Sequence, residues 1–238
     1  GGNTQNIVAK LTSGLLTLGG GDAGNGIGAN GGRGGGLSLI TASVGAVELN
    51  AFTGRGGDAA GGSGNGGRGG DATDFTFSME MSAPQEASET AYAMLLSTGA
   101  GGHSNSGNGG RGGNGRNLAL TLDPSSESGT ATTGPSTTVN STLSVLVQTG
   151  AGGDGLTGGG NGGQIKGLKS TTVHDQVFAS GTSGGTVWIN PMTFTAITGD
   201  GGAASEGKGG KGGPISGLDL TGVSHYDEHG AEVAFLPP

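Results

Sequence analysis

The feature that most constrains this chain is a six-residue motif, NGGRGG, that recurs letter for letter. It occupies residues 30–35, 65–70 and 108–113, and altered forms follow at 161–167 and 208–213. Each copy is preceded by a second glycine-rich stretch, and the first glycines of that stretch precede the motif by 11, 11, 9, 11 and 9 residues. The apolar segments between these units vary far more in length. The glycine units are therefore the fixed frame of the chain.

The spacing inside each unit has a period of three, because Asn65 and Arg68 are separated by two glycines, as are their counterparts in the other units. Three is neither the 3.6 of an α-helix nor the 2 of a strand. It is the period of polyproline II, which makes no hydrogen bonds within its own chain and needs neighbouring chains when buried. We predict that each unit runs out as a first arm, turns at segments such as 23–29 or 59–63, and returns as a second arm.

These units are predicted to form polyglycine-II hairpins that stack on one another. They span about 19–36, 54–71, 99–115, 150–167 and 199–217. The structural frame comprises the paired glycines of the second arms: Gly31, Gly32, Gly34, Gly35, Gly66, Gly67, Gly69, Gly70, Gly109, Gly110, Gly112, Gly113, Gly209, Gly210, Gly212 and Gly213. The alternative is a flexible linker, since the chain has 60 glycines and 7 prolines among 238 residues. Constant spacing argues against a linker.

Composition indicates one repeat domain over residues 1–238, with a thin apolar core. Hydrophobic residues are 31% and aromatic residues 4% of the chain, so backbone hydrogen bonds must carry unusual weight. A formal net charge of −8 disfavours nucleic acid or an anionic membrane as partner. The chain has no cysteine and no apolar run near the ~20 residues that span a bilayer. Its start at Gly1 without methionine suggests a processed or truncated product.

The segments between the glycine units are predicted to be β-strands arranged as hairpins, with 6–18 as an opening strand and 37–53 as one long bent strand or a tight hairpin. They are 6–18, 37–53, 74–81, 91–98, 117–122, 139–149, 168–178, 186–198, 218–223 and 232–236. The predicted fold is therefore mainly β, with strand hairpins alternating with glycine hairpins in a stacked repeat or sandwich, and with little or no helix. Residues 86–96 have a short helix as their alternative.

The longest loop tips are predicted at 82–90, 123–138 and 179–185. Loops carried on a rigid scaffold are the usual place for recognition residues. The candidates at these tips are Pro84, Glu86, Ser125, Ser126, Thr182 and Ser183.

No motif indicates catalysis or a cofactor, and we expect no enzyme activity. Matches to G-x-G-x-x-G at 26–31 and 62–67 are expected by chance in so glycine-rich a chain, and no βαβ pattern follows them. The cluster at 225–229 (HYDEH) reads as a polar turn rather than a zinc site, and Asn140 begins a glycosylation sequon. The candidate calcium ligands are Asp22, Asp58, Asp154 and Asp200, for which turn capping is the alternative.

The paired GG-x-GG arms resemble those of the polyglycine-II sandwich proteins, which include phage tail-fibre-tip adhesins. The resemblance covers the five glycine units, and the long strand-like segments between them depart from the short loops of those adhesins. Units such as 149–168 and 198–218 are also similar to glycine-rich repeats of large bacterial extracellular and surface proteins. The resemblance implies a binding or structural role rather than an enzymatic one.

Two functions follow as expectations. The first is a non-enzymatic extracellular structural protein, a filament or surface-layer subunit that assembles with itself through exposed strand edges. The alternative is an adhesin that binds a cell-surface receptor through its loop tips, on a cell or virion surface. We expect no metal or cofactor requirement and no membrane span. Electron microscopy separates the two functions, because ordered fibres favour the first and monodisperse cell-binding particles favour the second.

Overall fold

The structure, a computed structural model, describes residues 1–11, 14–45, 48–80, 90–123, 137–174, 186–189 and 192–224. Within these ranges the chain forms strands, extended glycine segments and short turns, and no helix. The strands are β1 (Thr4–Leu11), β2 (Leu16–Gly19), β3 (Gly26–Ile27), β4 (Leu37–Gly45), β5 (Leu49–Phe52), β6 (Ala59–Ala60), β7 (Ala72–Glu80), β8 (Thr90–Ser97), β9 (Gly115–Asp123), β10 (Thr137–Gln148), β11 (Ile165–His174), β12 (Thr186–Ile189), β13 (Met192–Ile197) and β14 (Ile215–Ser224). The predicted mainly-β class with little or no helix is confirmed for these residues.

Every pairing between the described strands is parallel. The first sheet has the order β1-β4-β7-β9-β11-β14. The second sheet has the order β12-β10-β8-β5-β2, with β13 also beside β10. Strands β3 and β6 form a separate pair. Strands that follow a glycine unit thus lie in the first sheet, and strands that precede one lie in the second.

The predicted strand hairpins are wrong for the described residues. The segment 37–53 divides into β4 in the first sheet and β5 in the second, and the segment 6–18 divides in the same way into β1 and β2. A hairpin would pair the two halves of one segment with each other. Here each half pairs with the equivalent half of the next segment, because the glycine arms on either side hold successive segments in register and align their apolar side chains.

The apolar core lies between the two sheets. Side chains alternate along each strand, so Phe75 and Phe77 of β7 are buried while Thr76 is exposed. The second sheet supplies smaller groups, such as Met94 and Leu96 of β8. The core cluster comprises Leu37, Ile40, Ala42, Leu49, Ala51, Ala72, Phe75, Phe77, Met94, Leu96, Leu118, Leu120, Val145, Val147, Ile165 and Leu168.

Each strand of the first sheet contains one residue with a left-handed backbone near its start. These residues are Asn6, Leu39, Asp74, Asn117, Gly167 and Gly217, with φ between 51° and 69°. The pairing register skips this position, since Ser38 pairs with Thr73 and Ile40 with Phe75. Leu37 before this position and Ile40 and Ala42 after it are all buried, so the left-handed residue shifts the in-and-out alternation by one place and turns the following apolar side chain towards the core. Asn, Asp and Gly adopt this conformation readily, whereas Leu39 does so at a steric cost.

Several predicted elements change or fall outside the described residues. The alternative helix at 86–96 is wrong over residues 90–96, which belong to β8. The segments 168–178 and 186–198 correspond to β11 and to β12 with β13. The strand predicted at 232–236 lies outside the described residues.

Candidate functional site

The glycine segments contact one another through main-chain hydrogen bonds. We call residues 19–25, 53–58, 98–103, 149–154 and 198–203 the first arms, and residues 30–36, 65–71, 108–114, 158–164 and 208–213 the second arms. The Gly57 amide of a first arm donates to the Gly32 carbonyl of the preceding second arm over 2.9 Å. The Gly67 amide of the next second arm then donates to the Gly57 carbonyl over 2.8 Å. First and second arms are thus joined alternately along the molecule.

Arms of the same kind are also joined to each other. The Gly31 amide donates to the Asn65 carbonyl and the Gly66 amide donates to the Asn108 carbonyl, both over 2.9 Å. The first arms follow the same rule, because the Gly56 amide donates to the Ala100 carbonyl over 2.8 Å. Within each triplet of the interior arms, the amide of one glycine therefore donates to an arm of the same kind, and the amide of the other glycine donates to an arm of the other kind.

The arms approach so closely that only glycine fits. A Cβ atom built at Gly67 would lie 1.8 Å from the Gly32 carbonyl oxygen, and one at Gly109 would lie 1.8 Å from that of Gly153. Real Cβ atoms do not approach oxygen so closely, and the groups in contact are backbone that cannot rotate away. At Gly209 in the last second arm, by contrast, the nearest atom is the Gly202 oxygen at 3.5 Å. The exclusion of side chains thus applies wherever a further arm covers the glycine.

In several triplets the main-chain amide of the third residue donates to a side chain instead of to a carbonyl. The Asn65 amide donates to Asn30 Oδ1 over 2.7 Å, and the Asn108 amide donates to Asn65 Oδ1 over 2.8 Å. On the first arms, the His103 amide donates to Asp58 Oδ1 over 2.8 Å and the Asp154 amide to His103 Nδ1 over 3.3 Å. A short polar side chain in one arm therefore accepts from the exposed amide of the next.

A column of buried threonines lies where each strand of the second sheet enters a first arm. The Thr98 hydroxyl donates to the Gly113 carbonyl over 2.7 Å and accepts from the Gly150 amide over 2.9 Å. Thr53 and Thr149 make the equivalent pairs of bonds. Each hydroxyl thus donates to one glycine carbonyl and accepts from one glycine amide. These bonds join the strands of the second sheet to the arms.

Charged side chains gather at Asp71. Arg33 contacts Asp71 Oδ2 at 2.8 Å, Arg68 contacts Oδ1 at 2.7 Å, and the Asn114 amide also donates to Oδ1. Burial lowers the pKa of the Arg68 guanidinium, and this effect outweighs the opposing attraction of Asp71. The Arg68 Nε is buried without a partner among the described residues. This cluster cross-links three successive second arms, 30–36, 65–71 and 108–114.

Both ends of the parallel sheets expose edges within the described residues. At one end β1 pairs only with β4 and β2 only with β5, and at the other end β14 pairs only with β11. The apolar column of the core continues into the last strand but is uncovered there. Ile165 and Leu168 are fully buried, whereas their register partners Ile215 and Leu218 are 43% and 46% exposed. These ends are the most conspicuous candidate interaction surfaces of the described residues.

The structure describes only some of the site residues that were predicted from the sequence. The candidate tips Pro84, Glu86, Ser125, Ser126, Thr182 and Ser183 lie outside the described residues, as does the 225–229 cluster. Asn140 lies in β10. The chance motif at 26–31 contains β3 and the turn between the first two arms.

The candidate calcium ligands lie on the first arms, and the carboxylates of three of them, Asp22, Asp58 and Asp154, accept main-chain bonds. Asp22 Oδ1 accepts from the Arg55 amide and Asp154 Oδ1 from the Ala203 amide, each over 2.7 Å. Asp58 accepts from the His103 amide, as described above. Within the ranges that the structure describes, no three acidic or histidine side chains are grouped to hold a metal ion. The expectation of no metal requirement, with these four aspartates as candidate calcium ligands, stays a prediction.

Three features were not recognised from the sequence: the threonine column, the amide-accepting side chains and the left-handed column. The signals are nevertheless present. Thr53, Thr98 and Thr149 each immediately precede the first glycine of an arm, and Asp74, Asn117, Gly167 and Gly217 each immediately precede a leucine or phenylalanine.

Comparison with protein-family models, with characterised proteins and with solved structures finds no match for this chain. Of the residues that the structure describes, none belongs to a helix with the length and apolarity that a membrane crossing requires.

Proposed function

We propose that this chain is an extracellular structural protein that assembles with itself through its sheet edges into a filament or surface layer. The observation that supports this most is the pair of open, parallel ends. Because the strands all run in the same sense, the two ends differ from each other, and contact between unlike ends leads to an open chain of subunits rather than a closed dimer.

The glycine arms are proposed to be polyglycine-II helices that stack as repeats along the whole molecule. The three-residue period and the bonds to two neighbouring arms support this conformation. Such a body is rigid despite its low apolar content, because main-chain hydrogen bonds to neighbouring arms hold each arm in place. Stiffness with little hydrophobic burial suits a structural element outside the cell.

The exposed apolar column at β14 gives the assembly a driving force. Ile215, Leu218 and Leu220 continue a column whose inner members are buried, and covering them removes apolar surface from water. Main-chain groups on the same edge, which have no partner among the described residues, add directional hydrogen bonds. In the proposed assembly β14 of one copy pairs with β1 of the next, as β11 pairs with β14 within the chain.

Electron microscopy and sedimentation of the purified protein test this function. Wild type is expected to form fibres or sheets that grow with concentration. The Leu218→Lys/Leu220→Lys variant places two charges on the open edge and is expected to remain monomeric. Thr221→Lys, on the outward side of the same strand, is the matched control and is expected to assemble.

Monodisperse wild-type particles at high concentration would contradict self-assembly. If those particles bound bacterial or host cells, the adhesin alternative, acting through the loop tips, would replace it. The absence of enzyme activity and the extracellular location are parts of the same proposal.

A further inference from the structure

The last second arm lacks the neighbour that each earlier one has. The carbonyls of Gly32, Gly67, Gly110 and Gly160 each accept a bond from the first arm that follows, over 2.8 to 2.9 Å. Gly210 holds the equivalent position in residues 208–213. Among the described residues, no amide donates to the Gly210 carbonyl. We call the position beside residues 198–203 and 208–213 the terminal slot.

The first arm on the other side of the terminal slot also lacks a usual hydrogen-bond partner among the described residues. The amides of Gly56, Gly101 and Gly152 donate to the following first arm, but the equivalent Gly201 amide has no acceptor in the described part of the chain. Thr149 Oγ1 accepts from the Gly199 amide over 2.9 Å. Within the same part, Thr198 Oγ1 accepts no such bond.

The shape of the terminal slot matches the space that an arm occupies elsewhere. A Cβ at Gly159 or Gly162 would lie 1.9 Å from a carbonyl of the arm that follows. At the equivalent Gly209 and Gly212 the nearest atoms are 3.5 and 3.7 Å away. The slot therefore offers a carbonyl, an amide and a hydroxyl at the spacing that three segments of this chain, 98–103, 149–154 and 198–203, already satisfy.

We infer that the terminal slot binds an extended Gly-X-X-Gly segment of another polypeptide chain, such as residues 21–24 of a second copy. The occupant runs along the last second arm, donates glycine amides to Gly210 O and Thr198 Oγ1, and accepts from the Gly201 amide. Glycine is required at every third position of the occupant, because a Cβ at the equivalent Gly150 or Gly153 would lie 2.0 Å from a carbonyl oxygen of the preceding first arm. The inference rests on the proposed function, since it names the kind of segment that one open end takes from a neighbour.

A synthetic peptide with the sequence of residues 145–154 (VLVQTGAGGD) is the probe, because this segment fills the equivalent interior position. Binding to the intact protein is measured by calorimetry. Saturable one-to-one binding is expected. The control peptide carries Gly150→Ala and Gly153→Ala, whose Cβ atoms lie 2.0 Å from carbonyl oxygens in the interior arrangement. It is expected to bind at least about tenfold more weakly.

Protein variants test the same contact from the other side. Gly209→Ala/Gly212→Ala adds two methyl groups that touch nothing closer than 3.5 Å in its own chain, so it is expected to fold. It is expected to lose at least about tenfold in peptide affinity. Lys208→Ala/Lys211→Ala changes only exposed side chains and is expected to bind normally.

The inference is overturned if the peptide fails to bind wild type, or if both peptides bind equally. It is also overturned if binding appears only after truncation at residue 224, which would show that residues 225–238 fill the slot. Failure of the proposed function is a separate result: wild-type protein that forms no fibres yet binds the peptide loses the filament and keeps the slot. Fibres without peptide binding would support the filament and overturn the terminal slot.

Discussion

The glycine arms and the paired sheets belong to the same repeating segments but are held together in opposite ways. In the arms, main-chain groups contact each other directly and most side chains lie on the outside, apart from buried polar ones such as Thr98 and Asn114. In the sheets, side chains such as Phe75 and Phe77 fill the space between two layers. The arms therefore depend on hydrogen bonds between backbones, whereas the sheets depend on apolar burial.

This difference predicts opposite responses to a change of volume. A core can lose atoms at a moderate cost and can partly rearrange its side chains. An arm has no side chain to rearrange, so an added methyl must move a backbone that is bonded on several sides. The molecule should thus be more sensitive to one extra carbon in the arms than to several missing carbons in the sheets.

Gly67→Ala should produce the largest effect, a loss of about 4 kcal/mol in the free energy of unfolding. The new Cβ would lie 1.8 Å from the Gly32 oxygen, and both overpacking and lost main-chain bonds contribute. Urea unfolding followed by circular dichroism gives the value. The matched control is Gly209→Ala, with 3.5 Å of room, which should cost less than about 0.5 kcal/mol. Equal costs at the two sites would refute the close contact between arms.

Thr98→Val should cost about 2 kcal/mol although it preserves the shape of the side chain. The substitution leaves the Gly113 carbonyl and the Gly150 amide without their buried partner. Thr98→Ser retains the hydroxyl and is the control. If the serine variant is as unstable as the valine variant, the hydroxyl is not what joins arm and strand.

Phe77→Leu should cost about 1.5 kcal/mol, because the core loses apolar volume but keeps an apolar side chain. The same unfolding assay measures it. The prediction sharpens the comparison, since removing part of a ring in the sheets is expected to cost less than adding one methyl in the arms. A larger loss here than in Gly67→Ala would reverse the proposed ranking.

Leu39→Asn should stabilise the protein by about 1 kcal/mol. Leu39 is 55% exposed and has a left-handed backbone with φ of 54°, which asparagine adopts more readily. The Asn117 side-chain Nδ2 donates to Asp74 Oδ1 in the same column and shows the bond that an asparagine at 39 can make. Leu39→Ala keeps the backbone penalty and should bring no gain. A rise in melting temperature for asparagine alone identifies the strain.

The sequence predicted the β class and the fixed positions of the glycine units because both follow from local patterns. Glycine at two positions of three is readable without knowing any neighbour, and so is the alternation of Phe75, Thr76 and Phe77. The pairing of the strands was not predicted correctly. A segment such as 37–53 has the same alternation whether its halves pair with each other or with other segments, so pairing partners are a long-range property.

The contacts of the polar side chains could not be predicted from local sequence patterns either. Asn30 and Asn65 were read as the exposed member of each triplet, and they are exposed. Their oxygens accept amides that lie more than thirty residues further along the chain. The aspartates of the first arms likewise accept from amides that lie more than thirty residues further along the chain. Local sequence does not show these partners, and calcium was therefore a candidate ligand.

Hydrogen exchange of individual amides tests most directly whether backbone bonds hold the glycine arms together. The Gly57, Gly67, Gly102 and Gly110 amides all donate to neighbouring arms over 2.8 to 2.9 Å. They are predicted to exchange as slowly as the amides of β7 and β9, through global unfolding. Exchange of these four amides at the rate of an unstructured peptide, while the strands stay protected, would contradict the account.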